Sequence, residues 1–506
     1  MPLFYRNPII HADYADPDIL RHQDAFWMVA SSFSHVPGLP ILHSRDLVHW
    51  RLVNYAVPRL PAESYDTVQP GKGIWAPSIR FHGGRFWIFF SMPDEGIFVC
   101  HSTDPLGEWS KPHCLIQAAG WIDPCPLWDD DGRAWLVHAF AYSRSGIKNK
   151  LQLIEMAPDA SRLLDGGRII FDGTLSHPTL EGPKLYKRSG EYWIFAPAGG
   201  VKRGWQTVLR AKNLAGPWQS RDVLHQSDTP INGPHQGGWV ALENGEQWFV
   251  HFQDKGVYGR VVHLQPLRWL EDGWPLPGEV SDEPGKGRPV LYHALPALPC
   301  SPCAIQTSDD FNDGHPGLQW QWQANPHDDW IIPGHESLTL CCKPLGTYQG
   351  KGVLYATPQL LLQKFPAARF TVCCEARADF RRPGDEGGLV VFGERYAALT
   401  IRQNAHRGAL IFRSGWMSDN GTLCEQERLV GEMDEPMTLA LACDVGDDGI
   451  CRFRYRAPHE DWRWLAPSFA AGAGKWVGAK IGLYGASPIS DSPGAIQFGP
   501  FTVTIL

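Results

Sequence analysis

Five tryptophans recur at a nearly even interval through the first half of the sequence, each inside a short apolar stretch with strand character. They are Trp27, Trp87, Trp135, Trp193 and Trp248, in AFWMVASSF, RFWIFFSM, RAWLVHAF, EYWIFAPA and EQWFVHFQ. Four of these stretches are entered through a glycine-containing turn, and successive Trp lie 60, 48, 58 and 55 residues apart. A repeat of about 50 residues made of short strands and glycine turns predicts a β-propeller, because one such small sheet cannot bury its faces alone and must stack on the next. Counting back from each Trp, a chemically useful side chain stands at a near-constant offset: Asp16 at 11 residues, Trp75, Asp123 and Glu181 at 12, and His235 at 13. Equivalent positions of propeller blades meet around the axis, so these five side chains are expected to share one funnel.

The repeat occupies residues 1–292 of a 506-residue chain that is too long for one ordinary core. The proline-rich run GRPVLYHALPALPCSPC follows, and residues 293–304 are expected to form a linker lying on a surface. From 305 to 506 the strands lengthen. In RFTVCCEARAD and CRFRYRAP apolar and polar residues alternate, which predicts stacked antiparallel sheets in a β-sandwich. Helical periodicity is scarce throughout, so the whole chain reads as all-β.

Composition excludes several classes of function. Asp and Glu number 54 against 46 Lys and Arg, with no basic stripe interleaved with aromatics, so nucleic acid is not an expected partner. No run of 18 apolar residues predicts a membrane span, and the N-terminal segment lacks the basic start and apolar stretch of a secretory leader, which reads as cytoplasmic. Twelve Cys are present. Cys300 and Cys303 form a CxxC, but no second pair stands at zinc spacing, and free reduced thiols are expected. Asp129, Asp130, Asp131 and Gly132 lack the alternating ligand spacing of a calcium loop and read as a hairpin turn.

The carboxylates carry the chemical signal. Asp16 in YADPDIL, Asp123 in GWIDPCPLW and Glu181 in TLEGPKLY each stand beside or one residue from a proline at the same phase of three repeats. An acid beside a proline is, taken singly, more often a turn cap. Three at one phase point to glycosidic bond cleavage, which needs one carboxyl group to protonate the leaving oxygen and another to act on the opposite face of the sugar. A like charge and a partly dry pocket raise a carboxyl pKa, the usual condition for a general acid. Trp75 reads as a stacking wall for sugar or as core. Arg260, among apolar strand residues in VYGRVVHLQP, reads as an inward fork for hydroxyls or as a surface arginine. His235 reads equally as a site residue and as a hydrogen-bonded rim histidine.

NPIIHADYADPDIL, GIWAPSIRFHGGRFWIF, GWIDPCPLWDDDGRAWLVHAF and LEGPKLYKRSGEYWIFAPAGG resemble, in order and spacing, glycoside hydrolase family 43. Its β-xylosidases and α-L-arabinofuranosidases look most similar, partly through GLPILHSRDLVHW and HFQDKGVYGRVVHLQP. The resemblance implies a five-bladed propeller followed by a jelly-roll, concanavalin A-like β-sandwich. It implies an exo-acting inverting hydrolase that releases terminal xylose or arabinofuranose from oligosaccharides. Asp16 would be the general base, Glu181 the general acid, and Asp123 the carboxylate that orients the acid and raises its pKa. Phe33 and Trp75 would wall the sugar pocket, and Arg260 would bind hydroxyls. His235 would face a hydrated calcium in the channel, a structural ion with no part in the chemistry. The base motif reads ADPD where PDPS is commoner, which leaves Asp16 and its proline in place. A sandwich residue is expected to close the pocket, with Phe498 and Phe501 as candidates, and a homo-oligomer is an open arrangement.

Three rivals make different demands. A retaining fructosidase also joins a five-bladed propeller to a sandwich, but its acid usually reads Glu-Cys and its third carboxylate Arg-Asp-Pro, where this sequence has EGP and IDP. A carbohydrate-binding propeller without activity would not need all three acids. A protein-binding propeller would need no sugar-shaped funnel.

Overall fold

A computed structural model describes residues 3–418 and 420–506. Five antiparallel sheets follow one another along the chain, each contributing four strands to one blade. The blades are Asp18–His22 to Arg51–Val57, Trp75–His82 to His113–Gln117, Trp121–Trp128 to Arg168–Asp172, Lys184–Arg188 to Gln219–Leu224, and His235–Ala241 to Pro275–Pro277. All five marker Trp lie on the second strand of their blade and are buried. In each blade the first strand runs away from the funnel and the second returns, so the Trp sits at the far end, paired near the close of the first strand. Trp87 stands opposite Arg80 and Trp193 opposite Tyr186. The offset of about 12 residues is therefore one strand down and one turn.

The ring is closed by the N-terminal segment, which runs along the last blade. Ile10 bridges Val262, the Asn7 side-chain amide donates to the Leu264 and Val290 carbonyls at 2.8 Å, and Phe4–Arg6 pairs with Tyr292–Ala294. Beyond that pairing the chain crosses from the last blade to the first, tied by the Ala297 N–H to Glu246 at 3.0 Å and the Ser301 N–H to Asp46 at 2.8 Å.

The remainder forms two packed sheets. One is built around Glu386–Phe392, Arg395–Gln403 and Lys480–Ser487, the other around Phe370–Asp379, Thr438–Val445 and Ile450–Arg456. Their shared core is continuous with the propeller, since Tyr258 and Val261 pack into the same apolar cluster as Phe370, Leu399 and Phe501. Backbone bonds stitch the domains as well. Trp322 and Val36 exchange two, at 2.6 and 3.0 Å, and Ala479 donates to the Val257 carbonyl at 2.7 Å. Among the described residues no helix is long and apolar enough to cross a membrane.

Candidate active site

The first strand of each blade opens on a kink. Asp16, Ala76, Asp123, Gly182 and Gln236 all have left-handed backbones, with φ of 54°, 23°, 58°, 59° and 37°. In four of the five the next residue is proline: Pro17, Pro77, Pro124 and Pro183. Proline has no N–H to lose, and the kink behaves as a bulge that turns two consecutive side chains toward the axis. Pairing registers shift at these points in three blades, between Trp75 and Ser78, Ile122 and Cys125, and His235 and Gly237. The structure thus resolves the repeat phase into two adjacent rings. Asp16, Asp123 and Gln236 stand at the kink, whereas Trp75, Ile122, Glu181 and His235 stand one residue before it.

All of these except His235 line a cavity of about 310 Å³ at the funnel mouth. Asp16 accepts a bond from the Ser31 hydroxyl at 2.6 Å and lies 3.4 Å from the Arg260 guanidinium. Ser31 in turn accepts the Ala76 N–H at 2.7 Å, so Asp16 is braced across two blades. Asp123 is almost fully buried and accepts the Gly182 N–H at 2.8 Å, which seats it beneath the peptide that carries Glu181. Burial, then the Glu181 charge, then the Asp16 charge push the Asp123 carboxyl well above the usual carboxylate range. Glu181 reaches further out, its side chain 22% exposed, and its Oε1 is 2.8 Å from His235 Nε2. Phe33 and Trp75 meet edge to face at 6.4 Å, and the Trp75 indole N–H is held by the Gly71 carbonyl at 3.1 Å.

The last wall comes from the sandwich. Trp476, in the loop GAGKWVG, packs edge-on against Trp75 at 6.5 Å, and the Arg260 guanidinium lies 5.8 Å from its ring. The loop is clasped by Asp13, whose two carboxylate oxygens accept the Arg260 N–H at 2.8 Å and the Gly478 N–H at 2.9 Å. Gly259 permits this approach, because a Cβ there would stand 2.5 Å from the Asp13 carboxyl carbon. A larger groove of about 970 Å³ lies between the 66–70 loop and the sandwich, but its carboxylates Asp66 and Asp329 are paired with Arg59 and Lys343. It offers no free acid pair.

Three carboxyl groups from three blades, one held toward its protonated form, around a pocket of single-sugar size are the equipment of a glycosidase. Comparison with known families gives the same answer. Residues 5–275 match the model of glycosyl hydrolases family 43, and residues 308–504 match the beta xylosidase C-terminal concanavalin A-like domain. The chain belongs to glycosyl hydrolase family 43. It is 42% identical to a putative beta-xylosidase of Xylanibacter ruminicola over 94% of this chain and 85% of the relative. It is 31% identical to a xylosidase/arabinosidase of Humicola insolens over 79% of this chain and 77% of the relative. Its fold superposes on the crystal structure of xylan beta-1,4-xylosidase from Bacillus halodurans with a TM-score of 0.85 at 22% identity, covering 99% of both chains. As a family 43 member it acts on carbohydrate.

All seven site residues of the sequence reading lie at the funnel, but their company differs from expectation. Phe498 and Phe501 are fully buried in the sandwich core and do not reach the pocket. The strand breaks at Gly499–Pro500, which resets the alternation so that Phe498 and Phe501 both turn inward, and Trp476 closes the site instead. The sequence did hold a signal for it, a Trp flanked by glycines outside any strand pattern. Gln236 was missed because the offset was counted to the neighbouring histidine. Its Oε1 is buried at the pocket without a partner among the described residues.

The resemblance sets a calcium ion against His235, whose Nε2 is engaged by Glu181 and whose Nδ1 is buried without a partner among the described residues. The axis below holds two buried cations. Lys184 of the fourth blade crosses to the second, donating to the Pro77 carbonyl at 2.9 Å and the Ser78 hydroxyl at 2.8 Å. Arg80 of the second blade pairs with Asp18 at 2.7 Å, approaches Cys125 Sγ at 3.0 Å and lies over the Tyr186 ring at 4.9 Å.

Proposed function

We propose that this family 43 enzyme is an exo-acting, inverting hydrolase that removes terminal β-xylosyl and α-L-arabinofuranosyl residues from short oligosaccharides. The relatives named xylosidase and arabinosidase support the sugar class, and the blind pocket walled by Phe33, Trp75 and Trp476 supports cleavage at a chain end. The observation that carries the mechanism is the contrast in exposure between two neighbouring acids. Asp123 is buried and favours its proton, while Glu181 reaches the cavity. Burial and the Glu181 charge hold the Asp123 carboxyl toward its protonated form, and Glu181 is the member placed to hand a proton to the leaving oxygen. Histidine 235 holds the Glu181 side chain in that orientation. Asp16, braced by Ser31 and Arg260, takes the proton of a water that attacks the anomeric carbon from the other face. Arg260 and the unpaired Gln236 oxygen meet the sugar hydroxyls.

Proton NMR of the pentose first released from an aryl β-xyloside tests the reading. The α anomer is expected before mutarotation sets in, and first appearance of the β anomer overturns inversion. A panel that adds xylobiose and arabino-oligosaccharides tests the sugar, and binding without release of any pentose would leave a carbohydrate-binding propeller.

A further inference from the structure

The CxxC of the interdomain segment has no partner pair in sequence, but folding gives it one in space. The turn Ser44–His49 on the first blade is built around Asp46. Its Oδ1 accepts the Val48 and His49 N–H groups at 3.0 and 2.8 Å, which leaves Oδ2 facing outward with His49 Nδ1 at 2.7 Å. The run Cys300–Ser301–Pro302–Cys303 is laid directly over this turn by the Ser301 N–H, which donates to that same Oδ2 at 2.8 Å. As a result the Asp46 carboxylate, a His49 ring nitrogen and the Cys300 thiol all lie within 4.8 Å of one another. Cys303 lines one cavity with His49.

We propose that Asp46 Oδ2, His49 Nδ1 and Cys300 Sγ form a three-donor site for a borderline-soft divalent cation of the zinc class, with water in the fourth tetrahedral position. The donor set is of a kind zinc accepts, one carboxylate oxygen, one imidazole nitrogen and one thiolate. Binding requires no redox partner. The His49 proton moves from Nδ1 to Nε2, the Cys300 thiol releases one proton, and three protein donor bonds and one water on the ion replace the Asp46–His49 hydrogen bond. The Oδ2–Nδ1 separation must open by roughly half an ångström to span a metal with bonds of about 2 Å. The partly exposed His49 and the exposed Cys300 leave room for that shift. The ion would pin the proline-rich segment to the first blade and close a loop running from Asp46 to Cys300, so its binding energy adds to that of folding.

The test uses the full-length enzyme without a polyhistidine tag, reduced and stripped by chelator, then titrated with Co²⁺ and with Zn²⁺. One equivalent of Co²⁺ per chain should produce thiolate-to-cobalt charge transfer in the near ultraviolet together with intense tetrahedral bands in the visible. Zn²⁺ should displace it stoichiometrically and raise the melting temperature. Cys300→Ser with Cys303→Ser, and separately His49→Gln, should abolish the charge-transfer band and the thermal shift. Absence of thiolate charge transfer in the wild-type protein, or cobalt spectra unchanged in the double serine variant, would overturn the site and leave Asp46–His49 as a turn-closing hydrogen bond.

Discussion

One pocket is built here in two ways. On the propeller side, each functional group stands at a kinked strand start that recurs in five blades, with the next peptide commonly fixed by proline and the strand itself paired in a buried sheet. On the sandwich side, a single loop carries Trp476 at a φ of 64° and is tied to the propeller by the Gly478 N–H to Asp13 and the Ala479 N–H to the Val257 carbonyl. Groups that must meet reacting atoms within fractions of an ångström are mounted on the repeated, rigid element. The group that only has to cover a sugar face is mounted on a loop from another domain. The difference implies that propeller substitutions act on the chemical step and sandwich substitutions on substrate binding.

The largest effect should come from the rigid side. Glu181→Gln is expected to lower kcat on natural oligosaccharides by about 10²–10⁴-fold while sparing much of the rate on an aryl glycoside whose leaving group needs little protonation. Equal loss on both substrates would remove Glu181 as the acid and break the division. Next comes Trp476→Ala, which should raise KM by about tenfold, near 1.4 kcal/mol, with kcat nearly kept. A fall in kcat with unchanged KM would show that the loop takes part in the chemistry. Asp13→Asn should be milder. The amide can accept only one of the two N–H groups now shared by Asp13, so KM should rise by a few-fold for every substrate that Trp476 covers. Combining it with Trp476→Ala should add nothing further, because one acts through the other.

The smallest effect sharpens the comparison from the stability side. Because the folded Asp123 carboxyl titrates above its unfolded value, its favourable contribution is complete below about pH 4 and is lost as pH rises through the folded pKa. Asp123→Asn has no such loss. At pH 7.5 it should melt above the wild type although inactive, and the gap should close as pH falls toward 4. Thermal melts across that range decide it, and a gap that widens on acidification would contradict the assignment of the proton to Asp123. No comparable gain is expected from Asp13→Asn, whose carboxylate is surrounded by donors.

The rigid side was legible in the sequence and the loop side was not, for a physical reason. A propeller repeats its geometry, so a periodic pattern of Trp and an acid near proline reports which residues share the axis. Even there the reading blurred two neighbouring positions into one, since a left-handed residue before proline leaves no mark in composition. Trp476 belongs to no repeat, and its place depends on how two independently patterned domains dock. Asp13 stands at no repeat phase in HADYADPD, although it accepts from Arg260 and from Gly478, the latter 465 residues away.

Sequence alone determined the all-β class, the blade count and which three acids share a repeat phase, because each is written in local alternation and in a period shorter than the domain. Only the tertiary structure decided which of these acids is buried deepest, what fills the axis beneath it, which aromatic closes the pocket, and what the Cys300–Cys303 pair meets. Those outcomes depend on burial and on contacts between residues hundreds of positions apart, which no local pattern encodes.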